Sequence, residues 1–404
     1  MRNRLVLLVI VGNFFVATSF MAVTGLMPEI MAALNISSTQ AGLLISAFGL
    51  TAGICAPVLA TMGSSIDRRN LLTVAMTCCA IANLLAALSQ SYPQLMWARV
   101  LAAVTSAVFT PQAAATVSTL VPPNERAPTL AKLMIGWAVG SVLGSPLNIS
   151  IGSHFGWRYA FGAIGIASAV MAIFVYRWVP SGVKIPTLNL RSWMKIFNSP
   201  SLLMLTAATG LTNVGGMLMF GFIAVIAKEV LGVVGDTLSA LMFVSGIGSL
   251  VGNLSSVQML RRMSASSVAY KCAISAATVL ILWPLCADWV WVIFILQFVY
   301  GAGGAGFPAV QQSRLVAVAP TLASATIALN SSITYMGGAI GSSLGAVAIN
   351  VVGPRHMAWV AVIFTLSSLA CSMVGERFAQ TAPEFLDTQA MKAAQIQQRL
   401  DRQK

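Results

Sequence analysis

Apolar stretches of about 20 residues alternate with short polar links along almost the whole chain, the spacing of helices that cross a bilayer. Twelve spans are predicted: Leu5–Met27, Gln40–Met62, Leu71–Leu88, Gln94–Leu120, Thr129–Gly152, Arg158–Trp178, Ser201–Ala227, Thr237–Leu260, Ser266–Leu285, Trp289–Ala317, Leu322–Val351 and His356–Val374. The first follows Arg2 and Arg4. Its apolar run is too long for a signal peptide, and no small-x-small cleavage site follows it. Two segments are longer than the other links: Val179–Pro200 between the sixth and seventh spans, and the polar tail Glu376–Lys404.

The fifth span carries the densest small-residue pattern. Gly136, Gly140 and Gly144 recur at four-residue spacing on one helix face, and Pro146 follows inside the same helix. In a soluble helix each glycine costs about 1 kcal/mol and an interior proline about 3. In a membrane such a face lets two backbones approach closely. Gly337, Gly341 and Gly345 repeat the device near the C-terminus. The surface reads both as helix packing and as a sliding contact between two halves.

Other features also repeat. Pro111 and Pro308 lie inside the fourth and tenth spans, Gly156-Trp157-Arg158-Tyr159 is echoed by Gly353-Pro354-Arg355-His356, and Arg68-Arg69 by Arg261-Arg262. The expected fold is an all-α membrane protein of twelve transmembrane helices in two pseudo-symmetric six-helix bundles. Its divisions are residues 1–178, a linker at 179–200, residues 201–375 and a tail at 376–404.

With 57% apolar and 8% charged residues, the 404-residue chain could not cover a soluble surface. The formal charge of +13 is distributed by loop rather than by patch, which excludes a nucleic-acid interface. Arg2, Arg4, Arg68, Arg69, Arg126, Lys132, Arg177, Lys184, Arg191, Lys195, Arg261, Arg262, Lys271, Arg314 and the tail fall on one side. Arg158, Lys228 and Arg355 fall on the other. The basic side is expected to be cytoplasmic and to hold both termini, in a bacterial inner membrane.

No cofactor or metal is expected. Cys55, Cys78, Cys79, Cys272, Cys286 and Cys371 lie in or beside apolar spans without a C-x-x-C pair, and His154 and His356 have no second ligand at metal spacing. No nucleotide-binding loop and no intramembrane catalytic set occurs, which argues against an ATP-driven pump and against an enzyme.

The chain resembles the major facilitator superfamily, specifically its twelve-span drug/proton antiporter branch, over about residues 1–375. Several stretches carry the resemblance: Gly25-Leu26-Met27-Pro28-Glu29-Ile30, Asn35-Ile36-Ser37 through Ala41-Gly42, Gly63-Ser64-Ser65-Ile66-Asp67-Arg68-Arg69, Arg99, the fifth-span glycines with Pro146, and the GWRYAF run Gly156–Phe161. Ser65, Asn70 and Ala103 depart from the family pattern, and Thr18-Ser19-Phe20 stands where many relatives carry T-E-F.

The resemblance implies a secondary transporter working by alternating access, an exporter of a small neutral or weakly polar solute, with protons as the candidate coupling ion. A monomer is expected. An uncoupled metabolite transporter is the alternative, and a transporter-like sensor a third reading. Asp67 with Arg68 and Arg69 would form a latch at one mouth; as a helix cap alone, Asp67 is also satisfied. Arg99, Glu29 and His154 are coupling candidates. Arg99 must face the bundle interior or snorkel to water. The resemblance implies a cavity lined by the first, fourth, seventh and tenth spans, with Asn13, Phe20, Phe109, Thr110, Asn213, Phe220, Gln297 and Tyr300 as candidate lining residues.

Overall fold

A computed structural model describes residues 2–62, 66–120, 126–183, 190–260, 262–319 and 322–381. The described residues form fourteen α-helices and no strand. They are α1 (Arg2–Leu34), α2 (Ser38–Met62), α3 (Arg68–Leu88), α4 (Tyr92–Leu120), α5 (Arg126–Phe155), α6 (Trp157–Trp178), α7 (Leu190–Phe197), α8 (Pro200–Phe220), α9 (Ile223–Leu231), α10 (Gly235–Leu260), α11 (Ala265–Leu282), α12 (Val290–Val318), α13 (Ala323–Val351) and α14 (Met357–Thr381).

Ten of these helices are long and apolar enough to cross a membrane. Helices α5 and α12 complete the two bundles. Both are rich in glycine, and both pack against several other helices, α5 on α1, α6 and α10 and α12 on α8, α10 and α11.

The structure departs from the sequence expectation at three places. The seventh span is broken at Gly221–Phe222 into α8 and α9. Phe222 is fully buried, and its ring lies where side chains on Gly42 and Gly345 would stand, so the break wedges a ring between two glycine notches. The linker holds α7. The last helix runs past Val374 to Thr381, because Glu376 and Ala379 both find partners in the bundle. The rest of the expected tail, and Gly63, Ser64 and Ser65 of the motif before α3, lie outside the described residues.

The repeat is carried out in three dimensions. Gly136, Gly140 and Gly144 of α5 press on the α1 backbone at Ile10, Phe14 and Thr18; Gly337, Gly341 and Gly345 of α13 press on the α8 backbone at Gly210, Val214 and Leu218. Arg158 donates to the carbonyl of Ser89 at 2.9 Å, and Arg355 to that of Pro284 at 3.2 Å, each tying the start of one helix to a link on the same end. Gly156 and Gly353, which precede them, both take positive φ, at 99° and 78°.

The first-half helices α1 and α3–α6 pack among themselves, as do α8, α10–α12 and α14, while α2 meets α13, α5 meets α10 and α1 meets α9 across the middle. One apolar cluster joins both halves at the end away from the linker, combining Leu26, Met27 and Ile30 with Phe222, Ile223, Ile226 and Leu241. At the linker end the clusters stay separate: Leu5, Leu72, Val117 and Val175 in one bundle, Leu202, Leu205, Leu315 and Ala379 in the other. Among the described residues a buried apolar cluster thus spans both bundles at the far end, and none does so at the linker end. The starts of α1 and α8 and the ends of α6 and α14 all sit at the linker end.

Candidate functional site

Four rings from four helices meet where the two halves cross. Phe20 of α1 stacks on Trp137 of α5 at 6.2 Å between ring centroids and meets Tyr335 of α13 edge-on at 6.0 Å. Trp137 and Tyr335 stand 6.5 Å apart, and Phe48 of α2 backs Phe20 at 5.2 Å. Tyr335 belongs to the second bundle and the other three rings to the first, so this aromatic roof exists only while the halves are together. Of its members the sequence reading found Phe20. Trp137 had a signal, lying beside Gly136 on the fifth span; Tyr335 had none beyond its place on the eleventh.

A polar wall is contributed by α8 and α12. The helical pitch puts Gln297, Tyr300 and Gly304 of α12 on one face, between those turned to α8 and α10. A methyl group on Gly304 would meet nothing within 4 Å, so that face borders open space. The Tyr300 hydroxyl lies 3.7 Å from where a side chain on Gly216 of α8 would begin. Gln297 is only 3% exposed. Asn213, half-buried on α8, donates to Thr209 O at 2.8 Å, which leaves its amide oxygen open. Phe220 is half-buried against the far-end apolar cluster. The wall offers neutral donors and acceptors, and the roof offers ring faces.

The first-bundle candidates divide differently. Asn13 is fully buried and accepts from Thr110 at 2.9 Å, tying α1 to α4. Phe109 is fully buried over Gly12. These three hold helices together, the commonest use of polar and aromatic residues inside such bundles.

Arg99 lies on α4 and is 1% exposed. Its guanidinium donates to the carbonyls of Ser19 at 2.8 Å and Phe20 at 3.2 Å and sits 4.5 Å from the Phe48 ring. It faces the bundle interior rather than snorkelling to water. It also fixes the α1 turn that carries Phe20, with Ser19 bonded in turn to Asn83 at 3.1 Å. Glu29 stands near the far end of α1 with one carboxylate oxygen buried and unpartnered, beside Lys228 of α9. His154 is exposed at the far-end surface, bonded to Ser150 O at 2.8 Å.

Asp67 caps α3, accepting from Arg69 N at 2.9 Å, and its other oxygen accepts from the backbone N–H of Gly182 in the linker. Arg68 N completes this docking by donating to Val183 O at 3.2 Å. The Gly182 hydrogen bond holds the Asp67 carboxyl below the usual carboxylate range, with further lowering from the Arg69 and Asn70 backbone. The guanidinium of Arg68 donates to Gln112 of α4, and that of Arg69 lies 4.9 Å from the Tyr176 ring.

The glycine face of α5 is a helix-packing surface. It packs on α1 inside one bundle, with Gly140 2.6 Å from Phe14 O and Gly144 2.9 Å from Thr18 Cα if each bore a methyl group. It is not the contact between halves. That contact uses the opposite side of α5, where Val142 fills the notch at Gly246 and Pro146 O accepts from Ser239 at 3.4 Å. The other seam joins α2 to α13. Gly42, Gly49 and Gly53 admit the α13 backbone, and hydroxyls bridge the gap: Ser342 to Gly42 O at 2.9 Å, Ser343 to Ser46 at 2.8 Å and Asn350 to Thr39 at 3.2 Å.

One cluster escaped the sequence reading. Arg314, counted on the basic side at the end of the tenth span, is buried in α12, donating to Gln311 at 2.6 Å and to Ser372 O at 3.2 Å, with Glu376 3.6 Å away. Tyr270 of α11 donates to the same Glu376, and Gln311 donates to Leu205 O at 3.1 Å. The network ties α8, α11, α12 and α14. An arginine and a glutamine three residues apart within an apolar span was the available signal. Among the described residues no three His, Cys, Asp or Glu side chains could hold a metal ion.

Two helical bundles that meet at a central aromatic and polar region, with a shared apolar cluster at one end and separate clusters at the other, define a membrane transporter. The chain belongs to the Major Facilitator Superfamily, whose family model matches residues 9–285. It is therefore a transporter and not an enzyme. It is 27% identical over 372 residues to an uncharacterized MFS-type transporter, YtbD, of Bacillus subtilis (strain 168), covering 89% of this chain and 92% of that one. It is 30% identical over 325 residues to a chloramphenicol resistance protein of Streptomyces lividans, covering 78% and 82%. Among solved structures, a bacterial homologue of the human lysosomal transporter Spinster, in an inward-facing and unoccupied conformation, superposes with a TM-score of 0.74 at 17% identity, over 95% of this chain and 99% of that one.

Proposed function

We propose that this transporter exports a small neutral or weakly polar organic solute (a drug, sugar or nucleoside-like metabolite) across a bacterial inner membrane. The observation that carries the reading is the aromatic roof of Phe20, Trp137 and Tyr335 beside the neutral wall of Asn213, Gln297 and Tyr300, with no carboxylate among them. Aromatic faces with a few polar groups suit a compact uncharged molecule. The relative named for chloramphenicol resistance supports export.

The linker end carries most of the basic residues, which makes it cytoplasmic and puts both termini inside. The conformation is then open to the cytoplasm. The working halves are residues 1–178 and 201–375, joined by 179–200. One chain supplies both walls of the pathway, so the working unit is a monomer. Loading at the cytoplasmic side, parting of the far-end cluster and closure around Asp67 and Arg68 complete the cycle.

Proton coupling belongs to this proposal, with Glu29 as the carboxylate nearest a moving seam. A second reading, uncoupled export, is favoured by one observation: the two terminal nitrogens of Arg99 are held by carbonyls and its guanidinium lies over a ring, with no carboxylate against it, and its Nε is left unpartnered. Uptake of a neutral solute panel into inverted vesicles, with and without an uncoupler, decides between them. Uptake abolished by the uncoupler supports coupling, and insensitive uptake supports the second reading. Absence of uptake for every neutral solute overturns the substrate class.

A further inference from the structure

The eight residues of α7, Leu190–Phe197, have a composition that alternating access alone does not require. At 100° per residue, Met194, Ile196 and Phe197 fall on one side of the helix and Lys195 on the other. The protein uses only part of that apolar side. Ile196 is fully buried among Leu202, Leu205, Leu315 and Val318 at the linker end of the second bundle. Met194 and Phe197 stay 60% and 55% exposed. The apolar arc is wider than the surface that the bundle covers, and no described element covers the remainder.

Position and charge indicate what does. Only Asn198 and Ser199 separate α7 from Pro200, the first residue of a spanning helix. Two residues reach about 7 Å at most, so α7 stays within the headgroup layer at that end. Ser199 is extended, with φ −101° and ψ 106°, and keeps α7 from continuing the line of α8. Exposed Tyr176 and Trp178 end α6 at the same level, as interfacial aromatics do. The linker from Val179 to Pro200 carries Lys184, Arg191 and Lys195 and no acidic residue. A short helix with apolar residues open on one side and cations beside them fits an anionic lipid surface.

We infer that α7 lies in the headgroup layer of the leaflet at the linker end and binds anionic lipid, anchoring the second bundle to the membrane surface. Met194 and Phe197 enter the acyl boundary, and Lys195 pairs with a lipid phosphate. The inference does not depend on which solute is carried.

The test uses the full-length protein in nanodiscs of phosphatidylcholine alone or with an equal share of phosphatidylglycerol. Two things are measured: amide exchange across residues 190–197, and phosphatidylglycerol retained on the detergent-purified protein. Expected is slower exchange in the anionic discs, reversed by raised salt, with retention falling about fivefold per cation in Arg191→Gln and Lys195→Gln, the factor for one cation at an anionic surface. Equal exchange in the two lipids overturns the inference. So does retention that the substitutions leave unchanged. Should a variant fail to fold, the wild-type comparison between lipids still decides.

Discussion

Gly49 of α2 rests against the carbonyl oxygen of Tyr335 on α13, and a methyl group at that position would lie 2.7 Å from it. This contact belongs to the seam between the halves, whereas Gly140 on Phe14 O, at 2.6 Å by the same measure, belongs to the inside of one bundle. The two glycines are alike in sequence and differ in what they hold together.

Gly49→Val and Gly140→Val should therefore fail in different ways. The first wedges α2 from α13 and should cut transport at least about tenfold while the protein still inserts and each bundle stays folded; overpacking of a tight contact costs roughly 1–3 kcal/mol, and here that cost falls on one conformation. Gly140→Val should lower thermal stability in detergent by a comparable amount in every conformation. Equal losses of stability in both variants would show that the seam and the bundle interior are not distinct surfaces.

Arg99 acts on the roof through the α1 backbone. Arg99→Ala leaves the Ser19 and Phe20 carbonyls without their donor, and hydrogen bonds to a charged group contribute about 1.5–3 kcal/mol each. Stability should fall by roughly 3 kcal/mol, and the Trp137 emission should change as Phe20 shifts. Arg99→Lys, which cannot fork between two carbonyls, should recover only part of both. Unchanged emission with lost activity would place Arg99 in direct contact with the solute instead.

Glu376 stands where the sequence suggested a solvated tail. Truncation after Thr381 keeps the partner of Arg314 and Tyr270, while truncation after Val374 removes it. Because Glu376 is partly exposed, the loss should lie between the ~1 kcal/mol of a surface pair and the ~3–5 of a buried one. A pair of melting curves checks this, and identical curves would rule out a structural role for the network.

Docking of the linker on Asp67 should depend on acid. The native carboxyl titrates below its unfolded value of 3.8, so its contribution is fully present above about pH 4 and disappears as pH falls through the lower native value. Near neutral pH the docking should be insensitive to pH. Asp67→Asn should mimic the acid state at pH 7, seen as faster amide exchange of residues 181–183 relative to wild type. Exchange that the substitution leaves unaltered would mean that Val183 and the Arg68 amide suffice.

The sequence by itself determined the class of protein. Long apolar runs in water-poor surroundings can only satisfy their backbone groups as helices. It also placed the repeated glycines, because four-residue spacing selects one helix face whatever the fold. What that face meets was decided only in three dimensions: helix–helix partnership depends on residues hundreds of positions apart, and Gly136 and Gly49 carry no mark in sequence that separates α1 from α13 as partner. The same holds for the roof. Phe20 could be named from its span, but Trp137 and Tyr335 became its partners through the way two bundles cross. Charge gave Arg314 only a side; the carboxylate, hydroxyl and amide that surround it were brought together by packing.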